Sequence, residues 1–298
     1  MKPNPILKKL GYSDKDRLVL LHVDDIGICQ AGLEAYQNLV EFGLITCGSI
    51  IVPAGWFPAI AAFCREHPNL DIGVHVTLTS EWDTFRWRPL STIKSSSGML
   101  DHEGYFPRTS EEFQENCHPR AAHKEMEKQV EWAQKAGVRL SHVDTHMGTV
   151  MHPKLLQSYA KVGFKYHLPI MALRLDRNGW QKMGASPFAA KIAERFILDL
   201  EDRGMPLEDR IAFAPLEKPE NRMEQYKQVF SELPSGVTHL FIHPALDTPE
   251  LRAICPDWRS RVGDYEVFMS NKMRSHIKKE GIHLIGYRTL QALMPGND

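Results

Sequence analysis

The chain has 298 residues, 36 Lys+Arg against 37 Asp+Glu, a formal net charge of −1, 43% hydrophobic and 24% charged residues. This composition is that of a soluble globular protein and excludes wholesale disorder. The balanced charge gives no long-range attraction to nucleic acid or to an anionic membrane. No run approaches the roughly 18 consecutive apolar residues that span a bilayer, and the first residues lack the apolar segment and cleavage site of a secretory signal. The cysteines (Cys29, Cys47, Cys64, Cys117 and Cys255) are scattered and form no C-x-x-C pair, which argues against a disulfide framework or a thiolate zinc site. A reducing cytoplasm is the expected home.

In chain order, β-branched runs alternate with amphipathic ones. A strand over Arg17–Asp24 precedes a helix over Gly32–Phe42, and a strand over Thr46–Val52 precedes a helix over Phe57–Glu66. After a strand over Asp71–Leu78 comes an aperiodic stretch, Ser80–Pro119, holding Trp82, Phe85 and Trp87. It is expected to form an ordered cover over the site. A helix over Ala121–Ala136, a strand over Leu140–Thr145 and a helix over Pro153–Lys161 restore the alternation. Strands over Ile170–Leu175, Ile211–Ala214, Val237–His243 and His283–Gly286 follow, separated by helices over Pro187–Arg203, Glu220–Ser231 and Arg261–Lys279. Gly43, Gly137, Gly163, Gly204 and Gly281 are each placed to end a helix. The pattern predicts an α/β fold: a TIM-like (β/α) barrel of seven to eight mostly parallel strands, one domain over residues 1–298 with an insertion at about 80–119. The apolar helix Phe57–Glu66 could supply the interface of a homodimer.

In such barrels chemistry gathers at the C-terminal ends of the strands. Four predicted strands carry titratable groups there: Asp24-Asp25, His75, the set His142, Asp144 and His146, and His243. Strand alternation puts His142, Asp144 and His146 on one face, where polar groups are costly to bury unless paired or bound. His22 and His239, in mid-strand, are expected to be structural or to support the site. One Asp and two His converging at strand ends make a facial triad that suits Zn²⁺, Mn²⁺, Fe²⁺ or Co²⁺. A second carboxylate beside it is what a metal hydrolase needs as general base.

Four motifs, HVDDIGI at His22–Ile28, GVHVTLT at Gly73–Thr79, HVDTH at His142–His146 and HLFIHPA at His239–Ala245, occur in one order and spacing. In these the chain resembles the YdjC-like carbohydrate deacetylases, a group related to the polysaccharide deacetylases that includes chitooligosaccharide deacetylase. The resemblance implies removal of N-acetyl groups from amino sugars or chitooligosaccharides with one divalent metal ion (Zn, Mg, Mn or Co). It implies Asp24 as general base, Asp25, His75 and His146 as metal ligands, and His243 as general acid. Asp144 would orient the ligands, and Arg174 would contact the sugar. Apart from the resemblance, His142 is expected to support the site by fixing neighbouring backbone, and Trp82 and Trp87 of the covering stretch are expected to stack on the sugar ring. Two departures stand out. Family members often carry Asn-Ala ahead of the acids, where this chain has His22-Val23. Where the family's H-x-D-x-H commonly continues with further histidines, this chain reads Met147-Gly148-Thr149, with His152 a replacement at a different spacing. The competing readings are a metal-dependent hydrolase of another amide or of a phosphoester, and a non-catalytic carbohydrate-binding barrel.

Overall fold

Among the described residues seven short runs become strands, and every strand pairing is parallel. The computed structural model describes residues 2–296; Met1, Asn297 and Asp298, at the ends of the expected domain, lie outside the described residues. The strands are β1 (Arg17–Ile26), β2 (Cys47–Ile50), β3 (Ile72–Val76), β4 (Leu140–Thr145), β5 (Arg210–Ala212), β6 (Gly236–Ile242) and β7 (Ile282–Ile285). They lie in the order β4-β3-β2-β1-β6-β5, with β7 also paired to β1. One edge of β1 pairs with β6 from Arg17 to Val23, while its other edge is shared by β7 at Arg17–Leu20 and β2 at His22–Ile26. Leu18 to Leu21 are all fully buried, as a parallel strand covered on both faces requires. Among the described residues no helix is long and apolar enough to cross a membrane.

This is the barrel-like α/β fold that the alternation predicts, and it departs from the predicted elements at identifiable places. The segment Ile170–Leu175 forms no strand; two isolated bridges, Val143 to Ile170 and Leu173 to Glu208, carry the path from β4 toward β5. The cause is local. Leu175 N donates to Leu173 O at 3.0 Å, a three-residue turn that bends the chain at Arg174, and the Glu208 carboxylate takes the Ala172 N–H at 3.0 Å. The helix expected over Arg261–Lys279 is two helices, Trp258–Phe268 and Asn271–Lys279, the second capped by the Ser270 hydroxyl. Gly43, Gly137, Gly204 and Gly281 have positive φ, whereas Gly163 lies inside the helix Pro153–Tyr166, which ends on His167 in the left-handed region. The helix Phe57–Glu66 turns Phe57, Ile60, Ala61 and Cys64 into this chain's own core. The Ser80–Pro119 stretch is ordered around buried Trp82, Trp87, Met99, Phe106 and Phe113.

The interior between the strands is not wholly apolar. His22, His142, His239, Tyr287 and Glu208 are buried together. The Tyr287 hydroxyl donates to Glu208 Oε1 at 2.8 Å and lies 2.9 Å from His239 Nδ1. Burial pushes the Glu208 carboxyl up to about 8, so it is largely neutral at pH 7. Every polar atom here depends on a specific partner. Tyr287→Phe should therefore destabilise the fold by about 1–3 kcal/mol, because it strands a buried acceptor and a buried imidazole nitrogen. Urea titration measures this, and a loss below about 0.5 kcal/mol, the range of ordinary surface substitutions, would show that the two groups find other partners.

Candidate functional site

Consecutive residues of a regular strand point to opposite faces. Asp24 and Asp25 escape this rule because the pairing of β1 with β2 shifts between Val23 and Ile26 and Asp25 has φ 60°. That left-handed conformation is uncommon for a residue with a Cβ, and Asp is one of the types that tolerate it. Both carboxylates then line one cavity of about 770 Å³ at the C-terminal ends of the strands.

His75 on β3 and Asp144 on β4 are register partners, so their side chains face each other across neighbouring strands. His75 Nδ1 lies 2.9 Å from Asp144 Oδ1, and its Nε2 lies 3.4 Å from Asp25 Oδ1. Ser49 on β2 donates to Asp144 Oδ2 at 2.9 Å and holds that carboxylate in place. His146, one residue beyond β4, brings Nδ1 to 3.1 Å from the same Asp25 Oδ1, while its Nε2 faces Glu81 Oε2 at 3.0 Å. His75 Nδ1 is tied to the Ser49 hydroxyl at 3.0 Å beside Asp144, and His146 Nε2 is tied to Glu81. The other nitrogen of each ring is aimed at Asp25, the arrangement that fixes tautomer and orientation in metal-binding histidines. Asp25 Oδ2 is taken by Arg261 Nη1 at 2.7 Å, whereas Oδ1 is buried and has no aligned hydrogen-bond partner. An unpaired carboxylate oxygen facing two imidazole nitrogens fits a metal ion, and Asp25, His75 and His146 could hold one.

The electrostatics favour positive charge at that point. Burial pushes the Asp25 carboxyl up, but His146 and Arg261 outweigh it and hold the group well below the usual carboxylate range. Burial disfavours charged His146, yet Glu81 and Asp25 push it up to about 9. His75 is likewise raised well above its ordinary value, against burial, by Asp144 and Asp24. Asp24 is lowered because His75 and the hydrogen bond from His22 overcome its burial. Arg261 and protons on His75 and His146 supply the positive charge that these carboxylates favour.

The structure brings Asp24, Asp25, His75, Trp82, Asp144, His146 and His243 to one cavity. His243 follows β6; its backbone N–H donates to Asp264 Oδ2 at 3.0 Å and its Nε2 lies 3.9 Å from Asp24 Oδ2. Burial holds its imidazole below the ordinary value, against the pull of Asp25. His142 lies deeper, its ring stacked on Tyr287 at 3.8 Å. Gly73 makes room for it, since a Cβ there would stand 2.6 Å from that ring. The remaining expected residues lie elsewhere. Trp87 is buried behind Trp82 and donates its indole N–H to Thr79 O at 2.7 Å, so its ring packs the cover rather than facing the cavity. Arg174, bent away by the turn at its own position, is held by Glu201 at 2.6 Å and Lys2 O at 2.8 Å in a separate cleft. His152 is exposed and accepts from Lys154 N at the start of a helix.

Sequence reasoning missed Glu81, Ser49 and Arg261, and the aromatic pair Phe213 and Phe241, whose rings stack at 4.8 Å beside the cavity. Glu81 adjoins Trp82 in the stretch expected to cover the site, which was a signal. Arg261 sits in a helix with nothing local to mark it.

Because His75 and His146 carry protons in the metal-free protein, an incoming divalent ion must displace them. Metal affinity should rise with pH until His146 titrates at about 9. Calorimetry at pH 7.5 in buffers of different ionisation enthalpy should report release of about two protons per ion. Binding with no proton release and no pH dependence would contradict the ligand assignment.

The profile of the family described as YdjC-like protein matches residues 18–279. A carbohydrate deacetylase of Thermus thermophilus is 32% identical over 268 residues, which is 87% of this chain and 89% of that protein. A carbohydrate deacetylase of Thermoanaerobacter pseudethanolicus is 22% identical, covering 92% of this chain and 100% of that one. The crystal structure of an Enterococcus faecalis V583 protein shares the fold with a TM-score of 0.73 at 22% identity, covering 92% and 99% of the two chains. The match extends from the first residues of β1 to the helix before β7 and so includes every residue of the site, and by it and by the Thermus relative the chain belongs to the YdjC-like protein family.

Proposed function

We propose that this chain is a metal-dependent carbohydrate deacetylase that releases acetate from N-acetyl amino sugars, working as one (β/α) unit. The observation that carries the reading is Asp24, a second carboxylate that lies outside the Asp25–His75–His146 set and lines the same cavity. Catalytic silence would leave that acid without a task, whereas hydrolysis needs a base there. The names of the relatives supply the substrate class. The free, buried cysteines fit a reducing compartment such as the cytoplasm.

When bound by Asp25 Oδ1, His75 Nε2 and His146 Nδ1, one divalent ion (Zn, Mg, Mn or Co) supplies Lewis-acid polarisation of the amide oxygen. The chain's own residues do the rest. Ser49, itself held by Asp144, and Glu81 hold the two imidazoles in the tautomers that leave the inward nitrogens free. Arg261 occupies Asp25 Oδ2, so that this carboxylate offers a single oxygen. Asp24 Oδ2 faces the cavity and takes a proton from the attacking water. His243 Nε2, 3.9 Å from that oxygen, is placed to pass a proton to the departing amine. An amide's amine leaves poorly unless protonated, which is why the acid matters.

For the sugar, Trp82 and Phe213 offer ring surface to the cavity, and Phe213 is 45% exposed on its stacked partner Phe241. Such rings suit the apolar face of a pyranose. A phosphoester fits less well, because of the cavity's two arginines Arg261 is committed to Asp25 and Asp257 and only Arg259 remains.

Three outcomes test this reading. Asp24→Asn should keep its metal and lose about 10²–10⁴ in kcat on diacetylchitobiose, the usual contribution of a positioned acid–base group; an active Asp24→Asn enzyme would remove Asp24 as base. His243→Ala should lose far less on an activated anilide than on the sugar, and equal losses would assign His243 a binding role. Phe213→Ala should raise KM with kcat and melting temperature little changed, and an unchanged KM would place the sugar elsewhere.

A further inference from the structure

Asp24 needs one oxygen free for water and the other held, and the group that holds it lies outside the set of ligands and acids described above. His22 is two residues earlier on β1, wholly buried, with Nδ1 2.6 Å from Asp24 Oδ1. Residues two apart on a strand share a face, so the backbone itself delivers this pair. The other carboxylate oxygen, Oδ2, is left toward His75 and His243, at 3.9 Å from each. His22 is in turn gripped from behind, its Nε2 2.8 Å from His142 Nε2. A close nitrogen–nitrogen contact carries one proton, so one ring donates and the other accepts. Ser141 gives its one hydroxyl proton to Ile72 O at 3.0 Å, so His142 Nδ1, 2.8 Å from Ser141 Oγ, donates to that hydroxyl. His142 Nε2 then accepts from His22 Nε2, and His22 Nδ1–H in turn donates to the Asp24 carboxylate. His142 is itself clamped between Gly73 and the Tyr287 ring, so the chain of contacts has no slack.

We propose that His22, oriented by His142, is the positioning residue of the general base: its Nδ1–H fixes Asp24 Oδ1 and leaves Oδ2 aimed at the attacking water. The inference rests on Asp24 acting as the base. It assigns a catalytic purpose to a histidine that otherwise belongs to the packing of the barrel interior, and it predicts that the position of one N–H matters more than the presence of an imidazole.

The test compares two amides of different reach. The Nδ2–H of Asn can stand where His22 Nδ1–H stands, whereas the longer Gln carries its donor to the position of Nε2, toward His142. On diacetylchitobiose with saturating Zn²⁺, His22→Asn should keep kcat within about threefold, while His22→Gln should lose about tenfold or more, both with KM and metal content unchanged. A second readout needs no activity. In the metal-free protein, the His22 Nδ1 proton should be strongly deshielded in the NMR spectrum and should move upfield in Asp24→Asn. Equal kcat for the two His22 variants, a better Gln than Asn, or an Nδ1 proton indifferent to Asp24→Asn would overturn the proposal. Asp24→Asn, assayed alongside, separates the failures. If that variant is inactive while both His22 variants match the wild type, Asp24 remains the base and His22 does not position it. If it stays active, the base assignment itself fails.

Discussion

Two neighbouring side chains on a strand cannot normally share a face, and this site depends on Asp24 and Asp25 doing so. The shift in strand pairing after Val23 and the left-handed backbone at Asp25 turn both acids into one cavity. Separate faces would leave one acid in the cavity and the other against the surrounding helices, where an ionised carboxylate finds no compensating charge. The adjoining Gly27, at φ 89°, completes the turn with a conformation that a side chain would resist.

Buried carboxylates so close together repel one another and are costly to desolvate, so the surrounding structure answers with positive charge. Arg261 reaches Asp25 from the helix Trp258–Phe268, and His75 and His146 face it from β3 and from beyond β4. The same helix carries Asp264, fully buried, which anchors the backbone of His243 and is itself bound by Arg222 and Tyr226. Asp24, Asp25, His75, His146 and His243 are therefore held by elements from both halves of the chain. A substitution of Asp264, which does not line the cavity, would reach the site without touching substrate.

Much of this was legible in the sequence, and the limits have physical causes. The strands read clearly because a parallel sheet covered on both faces writes continuous apolar runs, and polar residues that interrupt such runs at their C-terminal ends are conspicuous. That is how Asp24, Asp25, His75, His146 and His243 could be placed together. Arg174 was misplaced because the residues around it are as apolar as a strand, while a single turn at Leu173–Leu175 diverts the chain. Trp87 and Trp82 look alike in sequence, and only packing decides which ring faces the cavity. Arg261 comes from a helix far along the chain and no local pattern marks the contact it makes, whereas Glu81 adjoins Trp82 in the covering stretch but only the fold turns it onto His146. His22 was visible as a mid-strand histidine, but its link to Asp24 is a distance that only the folded chain supplies.

The account stands on a single metal-supported deacetylation site. Its most direct test is acetate release from diacetylchitobiose by metal-free protein titrated with Zn²⁺, Mn²⁺, Co²⁺ or Mg²⁺, with bound metal counted in the same samples. Activity should rise linearly and level off at one ion per chain, and His146→Ala should show neither the bound ion nor the acetate. Absence of acetate with every ion, or undiminished release by His146→Ala, would contradict it.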